Sequence, residues 1–77
     1  MNKTGKLIRQ RRLEKFLTQN ELGHRVGLHG QSVYKIEAGD MPPKKYITAI
    51  ADVLAIKMTT MEQALKDDYI YRLRKHY

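Results

Sequence analysis

The chain lacks cysteine, and it also lacks any long apolar run. Without cysteine it can form neither a disulfide nor a thiolate zinc site, so its stability must come from helix packing, from oligomerisation or from both. No apolar segment approaches the roughly 20 residues that a bilayer span requires, and the N-terminal segment has no apolar signal core. We therefore expect a soluble protein, and the missing cysteine is consistent with a reducing cytoplasm.

Sequence patterns for catalysis and for metal binding are missing as well. Three scattered histidines without cysteine do not form a metal-ligand motif, and the chain has neither a nucleophile–base set nor a glycine-rich phosphate loop. Glu21 and Glu37 are better explained by helix capping and ion pairing than by acid–base chemistry. We predict a protein that is not an enzyme and that uses no cofactor or metal.

Acidic residues are few compared with basic ones. Eight Asp and Glu stand against 15 Lys and Arg, which gives a net charge of +7 and a pI of about 9.9. Basic side chains cluster between residues 3 and 15 and again near the C-terminus. Such a surplus on a short chain repels itself unless a polyanion offsets it. Nucleic acid is therefore the preferred partner over a merely solvated basic face, and an anionic membrane ranks below both.

A length of 77 residues predicts one small domain, residues 1–77, with a limited core. Apolar residues recur at helical spacing and not in sustained alternation, so the predicted fold class is all-α. A first helix is predicted for about Thr4–Lys15. Arg12 shares its face with Ile8 and Phe16, and a half-buried arginine there needs an acidic partner from elsewhere in the fold.

The second helix has the clearest start in the sequence. Thr18 and Glu21 form a capping box, in which the threonine side chain caps an early N–H and the glutamate reaches back. Leu17 and Leu22 have the spacing of a hydrophobic staple around this start. Gly27 ends the helix, because glycine adopts the left-handed conformation without steric cost.

The third helix is predicted from residue 29 or 30 to residue 38, and Gly39 closes it. The apolar residues Val33 and Ile36 face inward. The opposite face then carries Gln31, Tyr34, Lys35 and Ala38.

Two further helices follow a turn. Pro43 suits the first turn of a fourth helix, whose apolar stripe is Ile47, Ile50, Ala51 and Leu54. A fifth helix is predicted to start near Thr59 or Thr60, where two segments resemble capping boxes. It either stops near residue 66 or continues towards the C-terminus, since Asp67-Asp68 leaves both possibilities open. Its apolar residues recur in steps of four at Met61, Leu65, Tyr69, Leu73 and Tyr77.

The segment Gln19–Glu37 has the pattern of a helix-turn-helix: two short helices, a glycine turn and apolar contacts between them. Gly23, inside the second helix, costs about 1 kcal/mol relative to alanine, which indicates a close helix–helix crossing. Residues 17–22, 26–28 and 32–39 resemble the Cro and phage-repressor family of helix-turn-helix domains, and the likeness covers roughly residues 4–66. The resemblance implies a five-helix bundle of the lambda-repressor-like type that binds operator DNA, usually as a dimer on inverted repeats. Residues 68–77 would then form a C-terminal extension.

The resemblance also implies roles for individual residues. It supplies Glu37 as the ion-pair partner of Arg12. A recognition helix offers its N-terminal residues to base edges, and together with helical geometry this predicts base contacts by His29, Gln31, Ser32, Tyr34 and Lys35. The predicted phosphate contacts are Thr18, Gln19, Lys44 and Lys45. Two positions depart from the family pattern. Gly30 stands where relatives carry a base-contacting side chain, so either a neighbouring residue contacts that base pair or the backbone approaches the DNA more closely. Phe16 stands where many relatives have glycine, and we expect it to cover the junction of the first two helices.

The apolar residues of the fifth helix exceed what one small bundle obviously needs. They could complete the intramolecular core, but a two-fold dimer interface is preferred, with predicted interface residues Met58, Met61, Leu65 and Tyr69. The leading hypothesis is a cytoplasmic bacterial or phage-encoded repressor that binds double-stranded DNA at a palindromic operator as a homodimer. The alternative is an antitoxin-like or adaptor subunit whose main role is to bind a partner protein. RNA binding ranks third, since few aromatic stacking platforms are expected.

Overall fold

The computed structural model describes residues 2–75, and all regular structure in this range is helical. The described helices are α1 (Lys3–Glu14), α2 (Gln19–Val26), α3 (Gly30–Ala38), α4 (Ile47–Val53) and α5 (Met58–Lys75), with a short 3-10 turn, Lys44–Tyr46, leading directly into α4. The predicted all-α fold with five helices is confirmed. None of these helices is both long enough and apolar enough to cross a bilayer.

Several predicted helix limits need correction. α1 begins and ends one residue earlier than predicted, because the Asn2 side chain caps it by accepting a hydrogen bond from the Gly5 N–H at 2.7 Å. α5 begins at Met58, so neither Thr59 nor Thr60 caps it; the Met61 N–H already donates to the carbonyl of residue 57 at 3.0 Å. Pro43 precedes the 3-10 turn and does not lie in the first turn of α4.

α5 continues far beyond residue 66, up to Lys75, which decides the question that the sequence left open. Its predicted apolar residue Tyr77 lies outside the described residues. The paired aspartates lie within the helix and hold it against α1. Asp68, only 5 % exposed, accepts hydrogen bonds from the backbone N–H groups of Lys3 and Thr4, both at 2.9 Å, and from the Thr4 hydroxyl at 2.5 Å.

The core lies between α1, the helix pair α2–α3 and the helices α4 and α5. Of the residues predicted to face inward from α2, α3 and α4, all but Ile47 are buried there, and Ile47 is partly buried against the same cluster. Met61 is a correction: it was predicted to lie in a dimer interface, but it is 0 % exposed because the first turns of α5 pack into the core. The buried apolar cluster consists of Ile8, Leu17, Leu22, Val26, Val33, Ile36, Ile50, Ala51, Leu54, Ile56 and Met61.

The link between α1 and α2 turns through Phe16, whose φ of +59° is in the left-handed region that favours glycine. This backbone conformation directs the Phe16 side chain outward, where it is 92 % exposed, while the next residue, Leu17, enters the core. The expectation that Phe16 covers the helix junction is therefore wrong.

Candidate nucleic-acid interface

The two helices of the helix-turn-helix are α2 and α3, and glycine makes their tight connection possible. Gly27 has φ +86°, and the Leu28 N–H donates to the Gly23 carbonyl at 2.8 Å. A Cβ atom on Gly23 would overlap the Leu28 carbonyl oxygen. The glycine is thus required by the backbone of the turn folding back on α2, and not by a crossing of two helices as predicted.

The start of α2 forms the predicted capping box. The Glu21 N–H donates to the Thr18 Oγ1 at 3.0 Å, and the Thr18 N–H donates to Glu21 Oε1 at 2.9 Å. The hydrogen bond from the Thr18 backbone, and then that from its side chain, hold the pKa of the Glu21 carboxyl below its usual range. The capping box at the entry to α2 therefore consists of contacts between residues three positions apart.

A buried ion pair joins α1 to the C-terminal part of α3. The Arg12 Nε donates to Glu37 Oε2 at 2.7 Å and its Nη2 to Oε1 at 3.0 Å, while Nη1 donates to the Leu17 carbonyl at 2.7 Å. Both side chains are less than one tenth exposed. The Gln19 amide adds a hydrogen bond to Glu37 Oε1 at 3.2 Å. The N-terminus of α2 and the α3 helix are therefore held by one polar network to which α1 contributes the cation.

The residues predicted to contact bases lie along the outward side of α3. Gln31, Tyr34 and Lys35 are exposed, Ser32 is half-buried, and His29 precedes the first turn as an exposed residue. The His29 side chain makes no capping hydrogen bond. Among residues 2–75, the Gly30 and Gln31 N–H groups consequently have no acceptor. This end of α3 thus offers both side chains and backbone donors to solvent.

The residues predicted to contact phosphates lie in two places. Thr18 and Gln19 stand at the start of α2, where the Gln19 side chain is engaged by Glu37 and its backbone N–H has no acceptor within the described range. Lys44 and Lys45 are exposed in the 3-10 turn. The Lys45 Nζ lies 5.1 Å from the centre of the Tyr46 ring, and that ring packs beside Gly27. Lys45 is thereby placed close to the turn between α2 and α3, and Lys44 precedes it in the chain.

The predicted interface residues of α5 are not equally available. Met58 and Leu65 are half-buried against the core, and Met61 is fully buried. Tyr69 is exposed, and so are three further apolar side chains in the last turns of the helix, namely Ile70, Tyr71 and Leu73. The exposed apolar surface of α5 therefore lies at its C-terminal end, which we call the α5 end (residues 69–73).

Sequence interpretation missed three residues that shape this site. Gly5 lets α1 approach α3, since a Cβ there would lie 2.5 Å from the Glu37 carbonyl oxygen. Asp68 clamps the start of α1 from α5. Asn20 lies against the first residue of α3, where a Cβ on Gly30 would overlap its Oδ1. Two glycines in predicted helices, Gly5 and Gly30, were the sequence signals for the first and the third of these contacts. For Asp68 the sequence offered no more than an acidic residue in an apolar helix pattern.

The comparisons with known proteins agree with this geometry. A family model described as helix-turn-helix matches residues 8–61, which is more than half of the chain and runs from α1 into α5. Neither the search of curated proteins nor that of solved structures finds a match. The chain therefore belongs to the helix-turn-helix family of the Cro and phage-repressor type, whose members are DNA-binding regulators.

Proposed function

We propose that this DNA-binding regulator is a transcriptional repressor that recognises a palindromic operator as a homodimer and carries no catalytic activity. The observation that supports it most is the start of α3, where exposed side chains stand beside backbone N–H groups that lack acceptors within residues 2–75. A recognition helix in the major groove uses such N-terminal residues on base edges. Repression then follows from occupancy, because a protein bound over a promoter excludes polymerase. A repressor of this kind acts in the cytoplasm, where its operator lies.

Three exposed residues of α3 have a chemistry that suits a DNA contact. Gln31 carries an amide that can pair in bidentate fashion with adenine, and Lys35 can donate to guanine or to a phosphate. Tyr34 offers a ring for a thymine methyl group or a sugar. His29 and Ser32 flank these residues and complete the proposed base-contacting set.

Phosphate contacts fix the orientation of such a module on the duplex. At the start of α2, the free Gln19 N–H and the helix dipole favour an anion, and the Thr18 hydroxyl lies beside them. Lys44 and Lys45 add positive charge next to the turn between the two helices. These four residues are the proposed contacts to the DNA phosphates, and their contribution to affinity should not depend on the base sequence.

A homodimer is supported by the α5 end. Tyr69 and Leu73, four residues apart and therefore on one face of the helix, are 59 % and 42 % exposed, and exposed apolar side chains grouped in this way mark protein–protein contact sites. Leu65 and Met58 lie along the same helix and are half-buried. In the proposed interface the α5 end supplies the central contacts. Leu65 and Met58 form its edge, on the side that packs against the core of the same chain. The spacing of the two α3 helices then sets the spacing of the operator half-sites.

In-vitro selection of bound duplexes from a random pool tests the proposal, because it reports both the sequence and its symmetry. The expected result is an inverted repeat with half-sites about one helical turn apart. Gel shifts at physiological salt then compare the selected duplex with a scrambled one. Equal affinity for both duplexes contradicts sequence-specific recognition.

Sedimentation at micromolar concentration tests the dimer separately. We expect about twice the monomer mass for the wild-type chain, and a return to monomer for Tyr69→Glu, which changes an exposed position. Lys66→Glu, also exposed on α5, is the matched control and should remain dimeric. A wild-type monomer would contradict the proposed dimer.

The α5 end also favours a second candidate function, an antitoxin-like or adaptor subunit that binds a different protein there. The two candidates differ in what the α5 end contacts. If Tyr69→Glu leaves self-association and binding of the selected duplex unchanged, the apolar surface is free for another protein, and the second candidate gains support.

A further inference from the structure

The first residue of α3, Gly30, brings no side chain to the position where a recognition helix first meets DNA. The space beside it is filled from α2. An ideal Cβ on Gly30 would overlap Asn20 Oδ1 and would lie 2.8 Å from Asn20 Cγ and 3.2 Å from Asn20 Cα. The carboxamide of Asn20 therefore lies where a side chain at position 30 would begin.

This carboxamide is available for binding. Asn20 is an exposed residue, and its side chain has no hydrogen-bond partner among residues 2–75. Its neighbour Gln19 differs, because the Gln19 amide donates to the buried Glu37 carboxylate at 3.2 Å. Of the two amides that begin α2, one is thus held inside the protein by the polar network, and the other stands free at the start of α3.

A free asparagine side chain presents one acceptor and one NH2 donor side by side. The adenine edge in the major groove presents the complementary pair, the N7 acceptor and the N6 donor. We infer that Asn20 is a base-contacting, specificity-determining residue that pairs with adenine in place of the missing side chain at position 30. This inference rests on the proposed function, since it requires α3 to lie in the major groove.

Gly30 has a defined part in this arrangement. Any larger residue at position 30 would displace the Asn20 carboxamide, because the two would share one space. Asn20 and Gly30 should therefore act as a unit: losing the amide or filling its space should remove the same base preference.

The test is in-vitro selection with the full chain, followed by affinity measurements on the selected duplex and on single-base variants of it. Asn20→Ala is expected to lose the preference for adenine at one base pair in each half-site, with discrimination there falling by about 5- to 140-fold. Gly30→Ala should lose the preference at the same base pair, and the double variant should lose no more than either single one. His24→Ala, exposed one turn later on α2, is the control and should keep every preference.

Asn20→Asp keeps the shape and removes the NH2 donor, so it should also lose adenine at that base pair. Thermal unfolding of each variant shows whether it is folded. If Asn20→Ala selects the wild-type site unchanged, or loses affinity equally for all duplexes as a phosphate contact would, the inference is wrong while the proposed function stands. If the wild-type chain itself selects no sequence, the proposed function fails and the inference fails with it.

Discussion

The first turns of α1 and α3 differ in what accepts the hydrogen bonds of their backbone N–H groups. At the start of α1, the N–H groups of Lys3 and Thr4 donate to Asp68, and that of Gly5 donates to Asn2. At the start of α3, no side chain caps the helix, and the first N–H groups have no acceptor within residues 2–75.

The difference follows from where each helix begins. Thr4 and Asp68 are buried, and a buried N–H without an acceptor costs about 1–3 kcal/mol, so the fold supplies the acceptor itself. At the start of α3, His29 and Gln31 are exposed and Gly30 is half-buried, so water can reach the N–H groups until a ligand replaces it. The start of α1 thus helps to hold the fold together, whereas the start of α3 is where we propose that DNA binds.

The largest expected effect comes from the internal polar network. Glu37→Ala removes the acidic partner of the buried Arg12, so the free energy of unfolding should fall by about 3–5 kcal/mol. Urea unfolding followed by circular dichroism measures the loss. Glu62→Ala, at an exposed position on α5, is the control and should change little. A loss below about 1 kcal/mol for Glu37→Ala would show that the pair is not structurally important.

Asp68→Ala tests the closed helix start directly. It leaves the N–H groups of Lys3 and Thr4 without their acceptor, and the free energy of unfolding should fall by about 1–3 kcal/mol. Asp67→Ala removes the neighbouring carboxylate, which pairs with the exposed Lys3 amine, and should lower the free energy of unfolding much less. Urea unfolding of both variants measures the difference. Similar effects of the two changes would mean that burial of the cap does not matter.

Changes on the open side should affect binding and leave folding intact. Gln31→Ala removes an exposed amide, so affinity for the selected duplex should fall by about 1–3 kcal/mol, with little change for scrambled DNA. The melting temperature should stay at the wild-type value. Gel shifts measure the affinity for both duplexes. An equal loss of affinity on both would indicate that Gln31 contacts a phosphate and not a base.

Lys45→Ala is the matching change at a proposed phosphate contact. It should weaken binding to all duplexes alike and reduce the slope of log affinity against log salt by about 1. Titrations at several salt concentrations measure that slope. A loss confined to the selected duplex would show that Lys45 contacts a base.

The smallest expected effect is the pH dependence of the α2 capping box. The pKa of Glu21 is lowered in the folded chain by the Thr18 hydrogen bonds, so its contribution to stability is present at neutral pH and is lost in acid. The loss occurs as the pH falls from the usual glutamate pKa, about 4.3, through the lower folded value. The melting temperature of wild type should therefore exceed that of Glu21→Gln at neutral pH, and the difference should shrink as the pH falls below the usual glutamate pKa. A difference that does not change with pH would contradict this assignment.

Much of the fold was predictable because its signals are local. The capping box at Thr18 and Glu21 and the helix end at Gly27 each depend on residues a few positions apart. Arg12 was recognisable as a half-buried cation, but only the family resemblance pointed to Glu37. Met61 was misjudged because an apolar stripe on a helix has the same pattern whether it faces the core of its own chain or another molecule.

By itself, the sequence determined the helical fold class, the helix-turn-helix and the outward residues of α3, since helical periodicity and capping act within one or two turns. Tertiary structure alone decided which polar groups would be satisfied by residues from distant parts of the chain. Asp68 reaches the start of α1 from 64 positions away, and Asn20 comes to lie against Gly30 only after the turn has folded. Such contacts depend on how helices pack, which no local pattern encodes. They are the reason why the first N–H groups of α1 have acceptors within the fold, whereas those of α3 have none among the described residues.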